Sequence, residues 1–550
     1  MPLLLLLLTF LYAWAQLPKE YELLIQFKQT SDSSIAYRIL KDYPDAVFKD
    51  DLMLLLAKLE KSKGMEEEAK RLIKDINPKN LSSQYKDDYV GLWKELGLDP
   101  KEGFLKHPVI FREFIPQLKL SQEEALNASE ELFRRRYYKE VISLLGPLEF
   151  NKVCYMLGKS YLALREKEKA IDTFEKCDDA RAKADLAVLY FELGQKDQSE
   201  RILSTLQDKR LLSDALFRMG RQCLTREDYR CAIDYLSRME PSYKREFNLG
   251  LSYYALGDYS KALDSFLRSL EYTKDKEERS ASYFWAYKSA FMIDKERANE
   301  YLIKASNGNG FYYAVASAML GLPVASKAIK VVMEDENLPK TASIIKAIWL
   351  AGFPEYARLE AFKRIGEMSS SDILALSKLD THLAIRLAIR KYGYGSVVYS
   401  AIAFPKPFWN TVERASNTYG ISPALIYAVM RQESLFDTYA ISVAGAKGLM
   451  QLLDGTAQYM ARKEGVRIKS LFHPETNILL GVAYLRYLLD MWNGDLVRAL
   501  ASYNAGPTRV KNWNSTEDVY LFIETVPIAE TRNYVKRVLY NYYVYSDLLK

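Results

Sequence analysis

Of the 71 acidic residues in this chain, Glu433 is the one whose neighbours are arranged for chemistry. Ser422 followed by Pro423 reads as a helix start, with a side-chain cap and a proline at the first position, where no backbone donor is missed. The helix is expected to run from about 423 to 434, and Ile426, Val429 and Met430 form an apolar stripe on it that leads to Glu433. A carboxyl in apolar surroundings holds its proton toward neutral pH, which suits it to protonate a leaving oxygen. The structural alternative is a helix-end residue paired with Arg431.

The chain that follows, Ser434 and then Ser442, Gly445, Gly448, Leu449, Met450 and Gln451, reads as a binding wall. Glycines three apart let the backbone turn and let a ligand come close, and Gln451 offers both a donor and an acceptor. The segment G-A-K-G lacks the ending of a phosphate-binding loop. The three histidines are far apart, at 107, 382 and 473, with no ligand spacing, so no metal site is expected and no cofactor is called for.

Four motifs stand in order: Glu433-Ser434; G-A-K-G-L-M-Q at 445–451 with Thr456-Ala457; Tyr503-Asn504-Ala505-Gly506-Pro507; and Glu530-Thr531-Arg532-Asn533-Tyr534-Val535. The set resembles that of the soluble lytic transglycosylases, which cleave peptidoglycan with a catalytic domain similar to goose-type lysozyme. The resemblance covers residues 406–550. It implies that Glu433 acts first as acid and then as base on the bond between N-acetylmuramic acid and N-acetylglucosamine, leaving a 1,6-anhydro end. It also implies that Ser434, Ser442, Met450, Gln451, Tyr503, Asn504 and Glu530 contact the sugars or orient Glu433, and that peptidoglycan strands are the partner. An ion pair of Glu530 with Arg532 is the structural alternative for those two residues. Asp437 and Asp454 are candidates for a second carboxylate by proximity only. The family's Met-Pro after the glutamine is replaced here by Leu453-Asp454-Gly455, so a methionine contact becomes Leu453. A lysozyme-like hydrolase and an inactive wall-binding scaffold are the alternative functions.

These motifs need elements to hold them. Phe404-Pro405-Lys406-Pro407 is a stiff break that opens the compact C-terminal domain, and 477–490 reads as an amphipathic helix with Gly481 as a point of close packing. Upstream, an apolar, small, apolar pattern recurs as Leu132/Val141/Leu145, Tyr161/Ala170/Phe174, Tyr190/Ser199/Leu203, Cys223/Ala232/Leu236 and Tyr253/Ala262/Phe266. Intervals of 29, 29, 33 and 30 residues fit tetratricopeptide-like helical hairpins. Further hairpins are expected at 52–75 and 341–365. The predicted fold is all-α: a leader at 1–15, an α-superhelix over 16–370, a helical linker over 371–405 and the lysozyme-like domain over 406–550. The resemblance implies a ring-shaped or U-shaped arm, and such arms also bind other cell-wall proteins.

Cys154 and Cys177 mirror each other about a turn near 165, and Cys223 and Cys231 about a turn near 227. Each pair is placed to form a disulfide in an oxidising compartment, or the four are buried thiols. The first fifteen residues carry a short apolar run ending in Ala13-Trp14-Ala15, which reads as a cleaved signal peptide rather than a membrane span. The protein is therefore expected to be exported (periplasmic or cell-wall associated) and soluble. A net charge of +6 over 550 residues, with no long basic block, gives no reason to expect a nucleic-acid partner or stable membrane insertion.

Overall fold

The computed structural model describes residues 15–325, 340–393, 399, 402–513 and 516–550. Nearly all of the leader, and parts of the linker, lie outside the described residues. The described chain is helical throughout. Extended pairing among these residues is confined to isolated bridges at Ile441, Lys447 and Leu452. No helix among them is long and apolar enough to cross a membrane.

Two compact units are present. One runs to Leu211 and takes up Asn337–Met368; the other comprises Leu212–Glu336 and Ser369–Lys550.

In the first unit the helices alternate as hairpins. Lys49–Ser62 and Glu66–Asp75 form one, and Phe150–Ala163 and Lys167–Glu175 another. Small residues set the spacing: a Cβ at Gly158 would stand 2.2 Å from the Phe174 ring, so the pair closes only because glycine is there. Cys154 and Cys177 are joined, with Cα atoms 5.7 Å apart. The late hairpin Lys340–Leu350 and Pro354–Lys363 packs back on the first helices. Tyr356 donates to the buried Asp51 over 2.8 Å, and Phe353 and Tyr356 meet Tyr21 and Phe48 ring to ring.

The second unit combines the hairpins from Leu212 onward with the C-terminal domain. Tyr243–Ala255 pairs with Tyr259–Ser269, and Lys276–Phe291 with Lys295–Ala305. Cys223 and Cys231 are joined across their turn. Lys288 reaches from its repeat helix to Asp518, 2.5 Å away, and lies over the rings of Tyr254, Trp285 and Tyr520. Asp518 also accepts from Tyr254 and caps the Val519–Thr525 helix through the amides of Tyr520 and Leu521. At the other end of that short helix Glu524 is buried. Its carboxylate accepts from Tyr312 and pairs with Lys536, both at 2.6 Å, while Arg221 donates to its carbonyl. Burial alone would lift the Glu524 carboxyl; the ammonium of Lys536 and the hydroxyl of Tyr312 outweigh it and hold the group below its ordinary range.

Candidate active site

The helix that carries Glu433 spans Pro423–Ser434, capped by the Ser422 hydroxyl with Pro423 in its first turn. Nine of its twelve residues are buried, which makes it the central rod of the domain, packed along the 20-residue helix Ala529–Leu548. Arg431 anchors it. Its guanidinium donates to the Ala403 carbonyl, Asn541 and Tyr399, and stacks on Phe404. Arg431 is thus committed away from Glu433, which removes the helix-end pairing as an account of that carboxylate. The chain then turns sharply, Leu435 and Phe436 both adopting left-handed backbone angles of 49° and 66°.

Glu433 is half-buried, and its Oε1 accepts from the Tyr534 hydroxyl at 2.7 Å. Burial pushes its carboxyl up to about 7; the Tyr534 hydrogen bond pulls the other way, and the charge of the exposed Glu530 adds to the rise. Tyr534 and Tyr503 are both held well above the usual phenol range by burial and by the Glu433 charge. The site therefore pairs a carboxyl that is half protonated near neutrality with two phenols that keep their protons.

Hydrogen bonds link the four motifs in a closed circuit. The Ser434 hydroxyl donates to Leu449 of the glycine-rich loop at 2.8 Å. From that loop, the Met450 carbonyl accepts from Tyr503 at 2.9 Å. The neighbouring Asn504 accepts from Thr531 at 2.6 Å, and Tyr534, three residues on, returns to Glu433. Ser434 spends its hydroxyl on backbone: it also accepts from the Phe436 amide.

The loop itself is shaped by Asn477, a buried residue of the Pro474–Met491 helix. Its amide group accepts from the Met450 N–H at 2.7 Å and donates to the carbonyls of Lys447 and Leu471. Gly448 is required twice over, since its φ is +74° and a Cβ there would lie 2.4 Å from both Asn477 and Leu471. Gly481 lets the buried Met450 side chain seat, because a Cβ would come within 2.4 Å of its sulfur. Gln451, at φ 48°, donates to Ala440 and Gly448, and the Ser442 hydroxyl accepts from the Ala446 amide.

Asp437 caps the Tyr439 amide, and Asp454 pairs with Lys447 through both oxygens at 2.9 Å. Neither is aimed at Glu433 by a hydrogen bond. Arg532 donates to the Val526 carbonyl rather than pairing with Glu530. Two residues to which the sequence reading assigns no role, Tyr534 in the last motif and Asn477 outside all four, hold the centre. Tyr534 was legible only as a motif letter, and Asn477 only as the first residue of an amphipathic helix.

Residues 410–523 match the Transglycosylase SLT domain, and 152–183 and 246–276 match tetratricopeptide repeats. A soluble lytic murein transglycosylase of Salmonella typhimurium is 29% identical over 313 residues, 52% of this chain and 46% of that protein. Residues 410–523 thus carry a Transglycosylase SLT domain, and the chain is similar to the soluble lytic murein transglycosylases. It spans about half the length of the curated relatives it matches. Its fold is that of the 70 kDa soluble lytic transglycosylase from Escherichia coli, with a TM-score of 0.66 at 18% identity over 96% of this chain and 91% of that one. The lytic transglycosylase Slt of Pseudomonas aeruginosa, solved as an inactive mutant, aligns with a TM-score of 0.63 at 22% identity over the same shares. Soluble lytic transglycosylases thus share with this chain an all-α build of tetratricopeptide-like helices and a lysozyme-like domain.

Proposed function

We propose that this protein is an exported peptidoglycan lytic transglycosylase that cleaves the β-1,4 bond from N-acetylmuramic acid to N-acetylglucosamine without consuming water. The observation that carries the reading is the raised carboxyl of Glu433 inside the four-motif circuit. Glu433 gives its proton to the bridging oxygen as the bond from that oxygen to the muramic C1 breaks. The substrate's own N-acetyl oxygen closes on C1 and shares the positive charge, so no second carboxylate is needed. The deprotonated Glu433 then takes the proton of the muramic 6-hydroxyl as its oxygen displaces the N-acetyl group from C1. That step forms the 1,6-anhydro ring and restores the acid.

Tyr534 fixes the carboxyl during both transfers, and Tyr503 braces the loop through Met450. Ser442, Gln451, Asn504 and Glu530 line the sugar path in this reading. The two cysteine pairings fit an oxidising compartment, as the leader does. The test is the mass of products released from purified peptidoglycan. Anhydromuramic ends, one water lighter than hydrolytic ends, are expected; reducing ends would make the protein a lysozyme.

Tyr534→Phe removes the hydrogen bond that stabilises the charged carboxylate, so Glu433 keeps its proton to higher pH. The alkaline limb of the pH–rate profile, expected near pH 7, shifts upward, and the maximal rate falls roughly tenfold because the carboxyl loses its fixed orientation. A limb that stays in place, or moves to lower pH, would remove Tyr534 from this role.

A further inference from the structure

A row of tyrosine rings leads outward from the site. Tyr503, which feels the Glu433 charge, lies 5.3 Å from Tyr484; Tyr484 stacks on Tyr487 at 6.3 Å; and Tyr487 meets Tyr459 edge to face at 5.8 Å. The first three are partly buried, Tyr484 and Tyr487 packed against the domain core, whereas Tyr459 is 45% exposed on the Asp454–Glu464 helix. Lys463, one turn further on, lies over the Tyr487 ring at 4.7 Å. Arg462, Arg467 and Lys469 stand exposed on the same segment, and no ion pair neutralises these four cations among the described residues.

We propose that Tyr459, braced by Tyr487 and flanked by Lys463, is a distal glycan subsite that stacks one sugar of an anionic strand remote from the bond being cleaved. The proposal rests on the reading of the protein as a glycan-cleaving enzyme. An aromatic ring held rigid by a neighbour offers its face to a sugar's axial C–H surface at little entropic cost. The flanking cations favour strands whose muramic units carry free carboxylates over neutral ones. The row of rings ties Tyr459 to the site through Tyr487, Tyr484 and Tyr503, and in the proposal a strand that occupies the site around Glu433 extends over its outer end.

The contact is the same in the ground state and the transition state, so its loss raises KM and leaves kcat alone. Tyr459→Ala is expected to weaken binding of long, peptide-free strands to the Glu433→Gln protein about tenfold, and Tyr459→Trp to restore it. In the active protein, the ratio of kcat/KM on long strands to that on the shortest cleaved oligosaccharide falls by a similar factor. Unaltered long-strand binding, or a fall confined to kcat, would overturn the subsite. The binding arm needs no cleavage. A tenfold loss there, alongside products with reducing ends, would sink the transglycosylase reading and keep the platform; anhydro products with unaltered binding would do the reverse.

Discussion

Glu433→Gln yields a folded protein that still binds peptidoglycan and releases product at least about a thousandfold more slowly, the upper part of the range for a positioned proton donor. The amide keeps the shape and still accepts from Tyr534, but has no transferable proton. Product formation within a factor of ten of the unaltered protein would end the assignment. The same substitution is expected to stabilise the fold above neutrality. Glu433 keeps its proton to about pH 7 when folded, against an ordinary value of 4.5, so the folded state binds more protons than the unfolded chain between those limits. Its contribution is fully present below about pH 4.5 and is lost as pH rises through 7, a difference of about 2–3 kcal/mol by pH 8. Gln has no such dependence. Melting curves should show the variant above the unaltered protein at pH 8, the gap closing by pH 4; a variant less stable at pH 8 would contradict the burial argument. Gaining stability while losing turnover is the signature of a strained functional group.

Asn477→Ala carries the next largest effect, although the residue touches no substrate in the proposed mechanism. Three hydrogen bonds end on its side chain, and the substitution strands the buried Met450 N–H and the Leu471 carbonyl, while the Lys447 carbonyl keeps the Leu452 amide. Each buried orphan costs about 1–3 kcal/mol, so the two together should cost about 3–4 kcal/mol in urea unfolding. The rate should fall with it, since the Met450 carbonyl that Tyr503 grips is no longer fixed. Asn477→Asp keeps the acceptor for Met450 and loses both donors, so it should lie between the two. A loss below about 1 kcal/mol for Ala would mean that water or a shifted loop satisfies these groups.

The helical architecture was legible in the sequence because its signals are local. Small residues such as Ala170 and Ala262 recur at fixed offsets from aromatic ones, and Ser422-Pro423 marks its helix start without help from the rest of the chain. Glu433 was legible for the same reason, as the end of an apolar stripe. What could not be read was which hydroxyl reaches it. Tyr503 and Tyr534 both sit in motifs, and the choice depends on how the Leu496–Ala505 and Ala529–Leu548 helices pack around the Pro423–Ser434 rod, a long-range outcome with no local signature. Asn477 was hidden for a related reason. An asparagine in the first turn of an amphipathic helix reads as a surface residue until a loop from thirty residues earlier folds over it.

Glu524 and Asp518 bear on how the activity could be moved between proteins. The domain match ends at 523, one residue before a buried carboxylate whose partners include Tyr312 and Lys536, and the Asp518 cap is completed by Lys288 and Tyr254 from repeat helices. A cassette cut at the Phe404–Pro407 break would keep Lys536 but leave Glu524 without Tyr312 and Asp518 without Lys288 and Tyr254. Grafting experiments and chimaeras between relatives would therefore have to take the repeat helices from Leu212 onward as part of the transplanted piece.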